Sequence, residues 1–122
     1  MSSDRRRAPR YQFVAEAEVI AMESRAKVQA KTGDLSIGGC FLGMRNPVPE
    51  GQQIQLTIWK ADRSFSAVAR VVFVFPNLGM GVAFTEIPSV ELTTLEEWLA
   101  DLERNRFDAA VMQGRSGKGV MF

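Results

Sequence analysis

Histidine is absent from this chain and cysteine occurs once, at Cys40. These two scarcities remove much of the common catalytic repertoire. A zinc site of the usual kind needs several Cys or His ligands, and Ser-His or Cys-His nucleophile pairs need an imidazole. A lone cysteine forms no internal disulfide. Cys40 follows Gly38 and Gly39 and precedes apolar Phe41 and Leu42, so it is expected to be a buried structural thiol. No apolar run approaches the roughly 20 residues that cross a bilayer. The opening MSSDRRR lacks the apolar segment that follows the charges of a signal peptide. A cytoplasmic location is therefore expected. Charge of one sign is not in excess either, since 15 Lys+Arg against 14 Asp+Glu leave a net charge of +1. Any preference for an anionic partner must be local. Together these scarcities speak against an enzyme, a metal site or a cofactor.

What is present describes one compact domain: 122 residues, 46% hydrophobic and 24% charged. Period-2 alternation dominates its first two thirds, the pattern of half-buried antiparallel strands. In residues 11–22, Phe13, Ala15, Ala17, Val19 and Ala21 alternate with Gln12, Val14, Glu16, Glu18 and Ile20, which reads as a first strand. Val28, Ala30 and Thr32 mark a second, ending at the Gly33-Asp34 break. After DLSIGG comes a short apolar strand over residues 40–44, and NPVPEG is a loop that proline and glycine keep out of helix or central strand. QQIQLTIW, SFSAVARVVFVF and MGVAF complete six strands, enough for a small antiparallel barrel or sandwich. Phe65, Phe73, Phe75 and Phe84 stand in apolar strand context and are expected in the core.

The period changes after Pro88. Leu92, Leu95, Leu99 and Leu102 recur at helical spacing beside Trp98, while Glu91, Glu96, Glu97, Asp101 and Glu103 fall elsewhere. One amphipathic helix is predicted to close the domain, capped by Ser89 or Thr93 and finished by Arg104 and Arg106. The organisation is then a flexible basic arm over residues 1–10, a barrel with its helix over 11–107, and a flexible glycine-rich tail over 108–122. Within that tail GRSGKG is no phosphate-binding loop: the spacing before Gly-Lys is wrong, and Gly119 stands where a magnesium-binding hydroxyl belongs.

Two short signals remain. DRRRAPRYQF places four arginines in six consecutive positions, and of these only Arg6 and Arg10 are spaced R-x-x-x-R. Further on, Asp34-x-Ser36-x-x-Gly39 closes the second strand. In this order, followed by six strand-like segments and a helix, they resemble the PilZ domain family. Its cyclic di-GMP receptors carry R-x-x-x-R before the first strand and D/N-x-S-x-x-G on the barrel. The resemblance spans residues from about Arg5 to Arg106. It implies an all-β fold with a C-terminal helix, a six-stranded antiparallel β-barrel. It also implies a cytoplasmic bacterial receptor that binds cyclic di-GMP through Arg5, Arg6, Arg10, Asp34, Ser36 and Gly39 without catalysis. The signal would pass to an effector protein in motility, adhesion or exopolysaccharide control. A basic residue before the first motif arginine, here Arg5, accompanies two mutually stacked ligand molecules in receptors of this kind.

The residue types suit such a ligand on chemical grounds. A planar guanidinium satisfies the O6 and N7 acceptors of guanine bidentately, stacks on a purine, or holds a phosphate. A carboxylate at Asp34 accepts the N1–H and N2–H donors of guanine. Ser36 offers a hydroxyl to phosphate or ribose, and Gly39 either takes positive φ or approaches the ligand closely. Three like charges in a row, with Pro9 restricting Ala8, lead to the expectation that the arm is mobile up to about Arg7 and orders on binding. Other readings stand beside this one. A protein-interaction adaptor with the same fold needs little or no nucleotide. Single-stranded nucleic acid is disfavoured, because that mode displays aromatics on an exposed strand face. A dinucleotide hydrolase would want clustered carboxylates, and the acids here fall mostly on one helix face.

Overall fold

The computed structural model describes the backbone of residues 8–119 and the side chains of residues 8–106. Among the described residues, seven antiparallel strands precede one helix: β1 (Tyr11–Gln12), β2 (Glu16–Ala21), β3 (Lys27–Leu35), β4 (Gly39–Gly43), β5 (Gln53–Lys60), β6 (Arg63–Phe75), β7 (Gly79–Glu86) and α1 (Ser89–Gly119). The order is β1-β3-β2-β5-β6-β7-β4, and β4 pairs again with β3, so β2 to β7 close a six-stranded barrel with β1 as an extra strand. Closure removes the free edges that an open sheet of this size would expose.

Alternation dictates which side chains enter the barrel. Ala17, Val19 and Ala21 of β2, Ile54, Leu56 and Ile58 of β5, and Phe65, Ala67, Ala69 and Val71 of β6 are buried, while their neighbours in sequence face outward. Each fully buried large side chain contributes about 1.5 to 3 kcal/mol relative to exposure. α1 packs on β6 and β1. Leu95 and Trp98 are buried, with Leu92, Leu99 and Leu102 packed against the same core. Trp98 packs between the tilted rings of Phe13 at 5.4 Å and Phe65 at 6.3 Å, centroid to centroid, which makes the helical stripe a plug for one barrel end.

The first expected strand is divided. β1 and β2 both pair with β3, Tyr11 opposite Leu35 and Glu16 opposite Lys31, with residues 13–15 looping between them. Thr32, itself buried, donates its hydroxyl to the Phe13 carbonyl at 2.5 Å and its amide to Ala15 at 2.9 Å, which holds the kink. Gly33-Asp34 is no break: β3 continues to Leu35 through a register shift between Thr32 and Asp34. Phe65 and Phe84 are core as expected, whereas Phe73 is 39% and Phe75 49% exposed. A second register shift, between Val71 and Phe73, turns them outward. At the helix start Thr93 is not a cap, since its hydroxyl donates to the Ser89 carbonyl one turn back. Glu91 in the first turn instead accepts the Ser66 amide at 2.8 Å and ties α1 to β6. The helix also runs beyond Arg106 to Gly119, where a tail was expected from residue 108; DAAVMQ contains no helix breaker, and the backbone stays helical past Gly114 and Gly117 although glycine disfavours helix.

The two-residue turn from β5 to β6 carries a cost. Lys60 pairs with Arg63, and Ala61 sits at φ 57°, a left-handed conformation that its Cβ disfavours by about 1 to 2 kcal/mol. Ala61→Gly removes that strain but adds about 0.5 to 1 kcal/mol of unfolded-state entropy. The expected outcome in a thermal melt is a rise of about 1 to 4 °C; a fall would show that the turn is not strained.

Candidate functional site

The Asp34 side chain is aimed by the bulge in β3. From Lys27 to Thr32 the outward residues are Lys27, Gln29 and Lys31; the extra residue at Gly33 resets the alternation, so Asp34 faces out and Leu35 faces in. Opposite it, Gln12 of β1 pairs with Asp34, which brings Arg10 over the carboxylate. Arg10 Nη1 stands 3.4 Å from both Asp34 oxygens, and the side chains are 57% and 31% exposed. That separation is longer than the roughly 2.7 to 2.9 Å of a strong charge-assisted bond. An open pair of this kind contributes about 0 to 1 kcal/mol, so a ligand can part it at little cost. Asp34 Oδ1 also accepts the Phe41 amide at 2.9 Å, which fixes the carboxylate on the barrel wall.

The connection from β3 to β4 is built by Ser36. Its hydroxyl accepts the Gly38 amide at 3.2 Å and donates to the Gly39 carbonyl at 3.3 Å, while its own amide donates to that carbonyl at 2.9 Å. Ser36 is buried, and its hydroxyl is engaged within the turn. Gly39 does not take the positive φ expected as one of its two roles. It is absent from the positive-φ positions, and the reason for glycine is a neighbouring strand: a Cβ here would collide with the Val82 carbonyl oxygen of β7, with the Val82 carbon at 3.0 Å and the Ala83 Cα at 3.1 Å. Phe84 donates its amide to Gly38, so the turn is pinned from β7 as well. Thus Arg10 and Asp34 meet, Ser36 and Gly39 shape the wall beside them, and Arg5 and Arg6 lie outside the described residues.

Two features had no signal in the sequence. Tyr11 donates its hydroxyl to Glu103, and Arg106 lies 5.7 Å from the Tyr11 ring, so the strand that follows the arm is fastened to α1. The bond to the Glu103 carboxylate raises the Tyr11 pKa. A cleft of about 370 Å³ opens there, lined by Arg10, Tyr11, Gln12, Leu102, Asn105 and Arg106, next to the Arg10–Asp34 pair. The second feature is the outward aromatic cluster of Phe41, Phe73 and Phe75. Burial pushes the Cys40 thiol up in pKa, in keeping with a structural role. Among the described residues no group of three or more His, Cys, Asp or Glu could hold a metal ion, and no helix is long and apolar enough to cross a membrane.

Comparison with known proteins follows the same lines. In solved structures the fold is similar to the Bacillus subtilis inhibitor of motility MotI/DgrA, with a TM-score of 0.68 and 16% identity over 81% of this chain and 51% of that one. The chain therefore spans about half the length of that relative. It is also similar to the PilZ domain of Escherichia coli YcgR, solved with c-di-GMP, at a TM-score of 0.69 and 16% identity over 87% of this chain and 97% of that one. The PilZ domain of CeSA from a cellulose-synthesizing bacterium gives 0.63 and 18%, covering 78% and 98%. At such identities the likeness is one of fold. Curated protein sequences give no significant match. The PilZ domain family model, however, matches residues 4–101, which include the whole barrel, both arginines of R-x-x-x-R and the D-x-S-x-x-G turn. The chain belongs to the PilZ domain family.

Proposed function

We infer that this protein is a receptor for cyclic di-GMP that reports the level of the messenger to a partner protein. The observation that carries the reading is the meeting of Arg10 and Asp34. The two are 24 residues apart in sequence, and a bulge and a short extra strand bring them together on a solvent-accessible wall. A guanine base offers donors to a carboxylate and acceptors to a guanidinium, and this pair supplies both. Ser36 and Gly39 act by holding the turn and the strand spacing that aim Asp34. Arg6, four residues before Arg10, supplies the second guanidinium of the motif. The YcgR domain solved with c-di-GMP supports the ligand, and MotI, an inhibitor of motility, supports an output in motility. Adhesion or exopolysaccharide control are the other outputs compatible with the family.

Calorimetric titration with cyclic di-GMP, using cyclic di-AMP and GTP as controls, tests the reading. Saturable binding in the micromolar range or tighter, absent for the controls, is the expected result. With Arg5 present the expected stoichiometry is two stacked ligands per chain, falling to one in Arg5→Leu. A stoichiometry of one in the wild type removes the role of Arg5. No binding at all favours a protein-interaction adaptor built on the same fold.

A further inference from the structure

Arg10 borders two places at once. It stands 3.4 Å from the Asp34 carboxylate, and it also lines the cleft between β1 and α1. Spacing on both elements builds that cleft. In β1, Gln12 pairs with Asp34 and Tyr11 with Leu35, so the Tyr11 side chain turns to the helix while Arg10 and Gln12 stay at the surface. On α1, Leu102 packs against the core, and Asn105 and Arg106, three and four residues on, belong to the same helix face. These six residues enclose about 370 Å³. Sites for small organic ligands run from roughly 300 to 1,000 Å³, so the cleft has room for one fragment of a cyclic dinucleotide.

The groups that face the cleft select the fragment. Arg10 and Arg106 bring positive charge, and Glu103, which accepts the Tyr11 hydroxyl, opposes it with a single carboxylate. Once Asp34 is assigned to the base, a single positive charge is left over. Arg104 adds nothing to it, because Asp101 holds that guanidinium at 2.8 Å. Arg106 is placed differently: its guanidinium lies 5.7 Å from the Tyr11 ring centroid, and among the described residues no carboxylate oxygen comes within 4.0 Å of it. A guanidinium held over a ring by its flat face keeps its N–H edge for acceptors. Asn105 from the helix and Gln12 from the strand add amide donors. A phosphodiester, with its single negative charge and its pair of free oxygens, matches this set.

We propose that Arg106, together with Arg10 and Asn105, binds a phosphodiester of the nucleotide in the cleft between β1 and α1. The inference rests on the receptor function above and extends the ligand site from the barrel wall to the helix. Arg10 then stands between base and phosphate, and Arg106 is a ligand group outside both sequence motifs. Occupancy of the site reaches α1 through a direct contact.

The test titrates cyclic di-GMP into the wild type, Asp34→Ala, Arg106→Ala, Arg106→Lys, Glu103→Gln and Glu96→Gln by calorimetry, with thermal melts alongside. Arg106→Ala is expected to bind about tenfold more weakly, the loss of one charge-assisted contact. Arg106→Lys should fall between Ala and wild type, since an ammonium keeps the charge without the fork. Glu103→Gln carries the opposite sign: its amide oxygen still accepts the Tyr11 hydroxyl while the negative charge is gone, so binding should tighten about two- to fivefold. Glu96→Gln removes a charge from the same helix away from the cleft and should leave the affinity unchanged. If Arg106→Ala melts early, the two glutamates still decide, because a merely structural Arg106 gives no gain when Glu103 alone is neutralised. Wild-type affinity in Arg106→Ala, or Glu103→Gln binding no tighter than Glu96→Gln, overturns the phosphate subsite, while loss of binding in Asp34→Ala leaves the receptor reading intact. No binding by the wild type overturns both.

Discussion

Gly39→Val is expected to lower the melting temperature by about 10 °C or more, the largest stability loss of any single change at the site. The obstacle is backbone, not side chain. A Cβ on Gly39 meets the Val82 carbonyl oxygen and lies 3.1 Å from the Ala83 Cα, and no rotamer of β7 moves these atoms away. The strands must part, and they part where β4 closes the barrel between β3 and β7. Two backbone bonds of the turn sit at this seam, Ser36 to Gly39 at 2.9 Å and Phe84 to Gly38 at 2.8 Å. Overpacking of a tight contact costs about 1 to 3 kcal/mol, and each lost hydrogen bond about 0.5 to 1.5 kcal/mol. A total near 3 to 5 kcal/mol is a large share of the roughly 5 to 15 kcal/mol that holds a domain together. Because the clash begins at Cβ, Gly39→Ala should be nearly as damaging. Gly39→Asn separates this cause from a left-handed backbone, where Asn is tolerated: it should melt no higher than Gly39→Ala. Melting of Gly39→Asn close to wild type would restore the positive-φ explanation.

That glycine shows where the sequence was legible and where it was not. Buried faces of strands and helix follow from spacing alone, so Ala17, Val19, Ile54, Leu56, Leu95 and Trp98 are core as their periodicity implies. Bulges escape such a reading. The split of the first strand leaves no mark, because Phe13, Ala15 and Ala17 stay buried in alternation while the hydrogen-bond partners change beneath them. Phe73 and Phe75 were unreadable for the opposite reason. In VVFVF both faces are apolar, so period 2 does not say which is inside, and the shift after Val71 decides it. The motif residues were visible as types, but their tasks were not. Nothing local to DLSIGG says that Gly39 faces β7, because that depends on a strand more than 40 residues away.

The second large effect is expected at Arg10 and Asp34, and it falls on binding rather than on folding. Arg10→Ala and Asp34→Ala should each weaken cyclic di-GMP by about tenfold to a hundredfold, the loss of a contact worth ~1 to 3 kcal/mol. Their mutual attraction does not oppose this, since an exposed pair at 3.4 Å holds at most about 1 kcal/mol. Stability should respond unequally. Arg10 gives up only the exposed pair, so Arg10→Ala should melt near wild type. Asp34 also anchors the Phe41 amide at 2.9 Å, so Asp34→Ala leaves that half-buried donor short of a partner and should melt a few degrees lower. Asp34→Asn keeps an acceptor for Phe41 and only part of the acceptor set for guanine; its melting should recover while its affinity stays between Ala and wild type. Arg10→Lys probes shape against charge. An ammonium preserves the charge but not the planar fork, and a site that reads O6 and N7 bidentately, or stacks on the purine, loses nearly as much with Lys as with Ala. Affinity for Arg10→Lys equal to wild type would show that position 10 supplies only a field to the phosphates. Equal melting losses for Arg10→Ala and Asp34→Ala would show that the Phe41 amide does not need the carboxylate.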